Sequence, residues 1–262
     1  MEARVEGSLS RRRLLTLVGG GVAVVATGAI AAACGSSTGG TPAGGSTGGG
    51  ATAAKGGASF KAINGAALGS MDAKGATTLN GTGSDIYESG DNFVYADQPW
   101  TKGDGDWHCR VVSVADGSIA LSEWQKSGIM VRESTDPMAA MFLVATTGNH
   151  GIIVNSRQAG ASGSGSVPQQ DSTNTTDAGT IDASSLAYPV WVRVTRKKDT
   201  FQAFTSTDGK KWNTFGTTVD VPLKTALVGL CALSHNAGQT DVAKFDNLTG
   251  FVPTKIEQIG TP

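Results

Sequence analysis

The feature that most constrains this chain is its punctuation. From residue 59 to about 252, short apolar runs of strand length alternate with turns rich in Gly, Asp, Asn and Ser. No stretch of a dozen residues carries a helical period. Strands are expected near 92–96, 107–114, 127–133, 140–146, 151–157, 190–197, 200–206, 212–219, 226–234 and 242–251. Strands at this spacing with no intervening helices point to an all-β, two-sheet antiparallel sandwich or jelly roll.

Alternation within the runs assigns side chains to faces. In 190–197, Val190, Val192 and Val194 point one way, and Trp191, Arg193, Thr195 and Lys197 the other. In 127–133, Ile129 and Val131 share one face, Met130 and Arg132 its opposite. The less apolar faces suit either an ordinary solvated sheet or a ligand-facing one. Asp208-Gly209 between two apolar runs marks a hairpin. The surrounding Ser206, Asp208, Gly209 and Trp212 are similar to the Asp-box turn of sialidases, one residue shorter, and such a turn is a structural device.

The first 58 residues read differently. Arg11, Arg12 and Arg13 precede an apolar stretch from Leu14 to Ala33, and Cys34 follows Ala31, Ala32 and Ala33. Basic, apolar and small-residue regions in this order form an export signal over 1–33, and the arginines before Leu14 and Leu15 resemble a twin-arginine signal. The residues around Cys34 resemble a bacterial lipobox, with Ala31 where Leu is usual. The expectation is a lipid on the Cys34 thiol, anchoring an exported protein to the cell envelope outside the cytoplasm. The competing reading is an uncleaved membrane helix, which Gly19, Gly20, Gly21 and Gly28 disfavour. Residues 34–58 hold the cysteine and a Gly/Ser/Thr tether, on the order of 25–30 Å in mean span. The folded domain is expected over 59–252, with a tail at 253–262.

Charge and cysteine content narrow the partners. The formal charge is −1. Removing residues 1–33, with four Arg and two Glu, leaves −1 − 2 = −3. No broad basic surface is implied, so nucleic acid is not an expected partner. With Cys34 assigned to lipid, Cys109 and Cys231 remain. An oxidising compartment permits a disulfide between them, and two buried thiols are the alternative. His108, His150 and His235 lack metal-ligand spacing, and no cofactor is expected. In the polar stretch 156–187, Asp171, Asp177 and Asp182 carry oxygens that suit calcium but lack the spacing of an EF-hand loop.

A set of runs in one order then carries a resemblance: Gly83 to Asp85 with Tyr87, Asp91 to Phe93, Trp124 to Glu133, Tyr188 to Arg193, Ser206 to Trp212, Val228 to Leu230, Ser234 to Asn236, and Phe245 to Asn247. It resembles the concanavalin A-like domain family of secreted bacterial proteins sometimes labelled "regulation of enolase", over roughly residues 60–252. Cys109 and the stretch 156–187 depart from the pattern. The resemblance implies a jelly roll related to legume lectins and laminin-G modules, often carbohydrate-binding. Glycoside hydrolases of this fold need two carboxylates about 5–5.5 or 6.5–9.5 Å apart, set two or four residues apart on one strand. Glu88, Glu123, Glu133 and Glu257 instead occur singly.

A non-catalytic, lectin-like module for carbohydrate or envelope polysaccharide is therefore the first reading. A structural or protein-interaction domain is the second, and a glycoside hydrolase the third. Sugar binding needs an aromatic platform ringed by polar groups. Of the five Trp, Trp191 is chosen for the platform, with Arg193 and Arg132, while His235 and Asn236 lie on a rim at a strand end.

Overall fold

Alternating apolar residues bury one side of each strand, and two such sheets cover each other. In the computed structural model the described residues are 59–87, 90–114, 122–161, 186–236 and 238–261. They form β1 (Ile63–Asn64), β2 (Gly69–Met71), β3 (Thr77–Gly81), β4 (Phe93–Trp100), β5 (Gly105–Ser113), β6 (Lys126–Arg132) and β7 (Met141–Thr147). There follow β8 (Ile152–Arg157), β9 (Val190–Lys197), β10 (Thr200–Ser206), β11 (Asn213–Asp220), β12 (Ala226–Leu233), β13 (Asp241–Thr249) and β14 (Lys255–Ile259). A single 3-10 turn, Ala66–Leu68, is the only helical element among these residues. None of their helices is long and apolar enough to cross a membrane.

One sheet has eight strands in the order β1-β2-β3-β13-β5-β9-β10-β11, and the other six in the order β14-β4-β12-β6-β7-β8. Every pairing is antiparallel. The chain passes between the sheets at β3–β4, β4–β5, β5–β6, β8–β9, β11–β12, β12–β13 and β13–β14. This is the expected two-sheet jelly roll. All ten expected strands are present. Residues 253–262, expected as a tail, instead supply β14, which pairs with β4 from Lys255↔Asp97 to Ile259↔Phe93.

The core between the sheets draws on both: Trp107, Cys109, Val111, Val190, Val192, Val194 and Phe201 from the larger, Val94, Ile129, Val131, Phe142, Val228 and Leu230 from the smaller. Phe142 and Phe201 stack across the interface with ring centroids 5.1 Å apart.

The six-stranded sheet is buried on its outer face as well. Phe93, Tyr95, Met130, Met141, Leu143, Ile153, Cys231 and Leu233 form a second cluster there with Ile86 and Ile259. The face carrying Met130 and Arg132 is therefore interior, not a wet sheet face. Arg132 is fully buried, and its guanidinium lies 3.1 Å from Asp91. Arg157 grips the same carboxylate at 2.8 and 2.5 Å.

The two remaining cysteines are free and buried. Cys109 points between the sheets, whereas Cys231 points into the second cluster beyond the six-stranded sheet. A sheet separates them, so the permitted disulfide does not form. Burial pushes both thiols up, Cys231 to about 12. The expected leader and lipidated Cys34 lie outside the described residues, as do Glu88 and the candidate calcium ligands Asp171, Asp177 and Asp182. Among the described residues no three His, Cys, Asp or Glu side chains are grouped to hold a metal ion.

Candidate functional site

Register on the eight-stranded sheet builds a polar and aromatic patch on its outer face. On β5 the outward residues are Asp106, His108 and Arg110, because Trp107, Cys109 and Val111 point into the core. On β9 they are Trp191, Arg193 and Thr195. Cross-strand pairing sets Asp246, Arg110, Trp191 and Ser206 in one row, and His108, Arg193 and Phe204 in the next.

The result is an open cleft of about 540 Å³. Trp191 and His108 line its floor, with Lys74, Phe60, Asp246, Asn247 and Gly209 around them. The His108 ring centroid sits 6.1 Å from Trp191 and 5.3 Å from Trp212, and the two indoles meet edge-on at 6.4 Å.

The hairpin at 206–212 holds this geometry. Ser206 Oγ accepts from the amides of Asp208 and Gly209 at 3.2 and 2.9 Å, and Asp208 Oδ1 accepts from those of Lys210 and Lys211 at 2.8 and 2.9 Å. Those amides hold the Asp208 carboxyl below its usual range. The turn's role is structural, and it presses backbone onto the indole. A Cβ on Gly209 falls 2.7 Å from two Trp191 ring atoms, at a φ of +68° that favours glycine.

The two arginines beside the cleft are each paired with an aspartate. Arg110 grips Asp246 through Nε and Nη2 at 2.7 and 2.5 Å, and lies 5.9 Å from the Trp191 ring centroid. Arg193 grips Asp106 at 2.7 and 2.6 Å and lies over Trp212 and Phe204. The hydrogen bonds from Arg110 hold the Asp246 carboxyl low. Burial lowers His108, with Asp106 opposing and Arg193 adding to the effect, so the imidazole is neutral at pH 7.

Of the sequence-selected residues, the structure joins only Trp191 and Arg193 in this place. Arg132 belongs to the other sheet. The side with an aromatic or arginine on each strand is legible from alternation, but the sheet each strand joins is not. His235 follows β12 on the six-stranded sheet and lines a separate pocket, and Asn236 is exposed in the turn beyond it. They form no rim around Trp191. His108 and Arg110 were missed, although their alternation with Trp107, Cys109 and Val111 marked them as outward. Asp246 and Asn247 stand out in the sequence only within the Phe245 to Asn247 run.

Two carboxyl groups also meet where no single strand holds both. Asp97 on β4 faces Lys255 and Glu257 of β14. Burial and then Glu257 raise it to about 7, against Lys255, whose ammonium is 3.9 Å away. Asp97 is fully buried, so it has no surface on which to meet a substrate.

No protein-family model matches the chain, and no curated protein matches it. Among solved structures it is similar to a functionally unknown protein from Saccharomyces cerevisiae, 17% identical, TM-score 0.50, with 74% of this chain and 97% of that one covered. It is also similar to carbohydrate binding module CBM66 from Bacillus subtilis, at 13% identity and TM-score 0.42 over 76% and 95% of the two chains. A third similarity is to the GH43 protein BlXynB from Bacillus licheniformis, at 16% identity and TM-score 0.44, covering 71% of this chain and 33% of that one. At these identities the likeness is one of fold alone, the two-sheet antiparallel sandwich already described.

Proposed function

We propose that this chain is a non-catalytic carbohydrate-binding module, exported and tethered to the cell envelope through a lipid on Cys34. The observation that carries the binding reading is the Trp191 cleft. A sugar presents an apolar C–H face and a rim of hydroxyls. The cleft answers with the indole of Trp191 beside neutral His108, and with Lys74, Asp246 and Asn247 at hydrogen-bonding positions around them. Its open form suits a stretch of polysaccharide lying along the sheet. Tight Arg pairing leaves Asp106 and Asp246 as acceptors for hydroxyls and poorly suited to proton transfer.

Affinity electrophoresis of the full chain in gels of envelope and plant polysaccharides tests this reading. At least one polysaccharide is expected to retard the chain, and Trp191→Ala to weaken that binding about 30-fold, as for a hot-spot aromatic. Gly209→Val, whose side chain displaces the same ring, is expected to weaken it in the same direction. Retardation unchanged by Trp191→Ala defeats the reading, and reducing-end release from the bound polysaccharide defeats its non-catalytic part. Mass spectrometry of the mature protein checks the tether: an N-terminal diacylglyceryl Cys34 is expected, and an unmodified Cys34 refutes it.

A further inference from the structure

A second cavity, of about 290 Å³, opens beside the six-stranded sheet and is lined by Asp85, Tyr87, Trp124, Lys126, Asn155 and His235. We propose that it is a separate binding site for one uncharged, polyhydroxylated ring, a single monosaccharide unit. This site is independent of the Trp191 cleft, which lies on the outer face of the other sheet.

The cavity is a built arrangement. Lys126 opens β6, and its side chain is only 3% exposed. Its ammonium donates to Asp85 Oδ1 at 2.5 Å and to the Trp124 carbonyl at 3.1 Å. The second oxygen of Asp85 faces His235 Nε2 at 3.4 Å, and His235 Nδ1 lies 3.1 Å from the Ser122 hydroxyl. One hydrogen bond and one close carboxylate contact therefore orient the imidazole in a loop residue of positive φ, +54°. Trp124 stacks on His150 with centroids 3.6 Å apart and planes 16° apart, which fixes the indole beside the cavity. Tyr87 is 36% exposed.

These groups select the ligand class. The Asp85 and Lys126 charges balance, so the pocket favours neither an anion nor a cation. An acyl chain entering it strips water from the Asp85 carboxylate and the His235 imidazole and returns no hydrogen bonds. A neutral ring with several hydroxyls restores those bonds. It donates to Asp85, accepts from Lys126, exchanges bonds with the amide of Asn155, and lays its C–H face on Trp124 or Tyr87. The volume sits at the lower end of small-molecule sites, about 300–1,000 Å³, and fits one ring rather than a chain.

The test titrates the full-length protein with glucose, galactose, mannose, fructose and N-acetylglucosamine, read by equilibrium dialysis and by tryptophan fluorescence. Saturable binding of at least one of them is expected at one equivalent. His235→Ala and Tyr87→Ala are each expected to weaken it about tenfold, while Trp191→Ala leaves it unchanged. Tyr87 is exposed, so its variant keeps the test open if His235→Ala melts early. Absence of saturable binding by all five sugars overturns the proposal. So does binding that survives both pocket variants or disappears with Trp191→Ala. Polysaccharide retardation depends on Trp191, so the two sites fail or hold separately.

Discussion

Asp91→Ala is expected to cost about 3–5 kcal/mol, the range for removing one partner of a buried ion pair. Asp91, Arg132 and Arg157 are all buried from solvent, and one carboxylate serves two guanidinium groups. The carbonyls of Ser134 and Asp136 take further bonds from Arg132, and those of Pro137 and Ala139 from Arg157. Burial pushes the Arg132 guanidinium down and Asp91 pushes it back up. Deleting the carboxylate leaves two desolvated cations facing each other with no counter-charge. The cluster ties the segment before β4 to β6 and β8, so its loss loosens the cover of the second apolar cluster.

Thermal and urea unfolding of the full chain measure the effect. At about 2–4 °C per kcal/mol for a domain of this size, the midpoint falls by roughly 10 °C. Asp106→Ala is the comparison: it breaks a pair of equally good geometry with Arg193, but the Asp106 side chain is 53% exposed. Its expected cost is at most about 1 kcal/mol. Equal costs for the two variants refute the assignment of Asp91 as the buried hub.

The second large effect is a loss of stability as pH rises through neutrality. Asp97 titrates near 7 in the folded chain, and near 3.9 when unfolded, as an ordinary aspartate does. The folded state therefore holds a proton that the unfolded state has released. Its contribution is greatest below pH 4, declines as pH rises through 7, and is gone above it. Burial sets it first, with Lys255 and Glu257 from β14 and Arg132 from β6 acting after it. Asp97 is fully buried and its nearest cation, the Lys255 ammonium, is 3.9 Å away, so the ionised form is costly.

Between pH 5 and 8 the loss from this group is roughly 3 kcal/mol. Urea midpoints at those two pH values measure it. Asp97→Asn is expected to flatten the dependence and to be the more stable protein at pH 8. An equal slope in the Asn variant assigns the effect to other groups and sinks the prediction.

How much was legible depends on the kind of question. Period-two alternation carries the strand positions, and it correctly split Val190, Val192 and Val194 from Trp191, Arg193 and Thr195. That is local chemistry: each Cβ on a strand points opposite to its neighbour's. Alternation is weakest at the ends. β1, β2 and β3 are two to five residues long, and β14 reads Lys-Ile-Glu-Gln-Ile, polar enough to pass for a tail.

Partnership between distant strands is not carried by any local pattern. Met130 and Arg132 alternate with Ile129 and Val131 much as Trp191 and Arg193 alternate with valines, yet one outer face is buried and the other bears a cleft. The difference comes from which sheet the strand joins and from Ile86, Asp91 and Ile259 packing over β4, β6 and β8. The same reason separates His235 from Trp191 and Cys109 from Cys231, and brings Asp97 to Glu257 from residues far apart in the chain. The amino-acid sequence alone determined an antiparallel sandwich with one polar and one apolar side per strand. Tertiary structure decided which polar sides meet water, because burial on a sheet's outer face depends on segments remote in sequence.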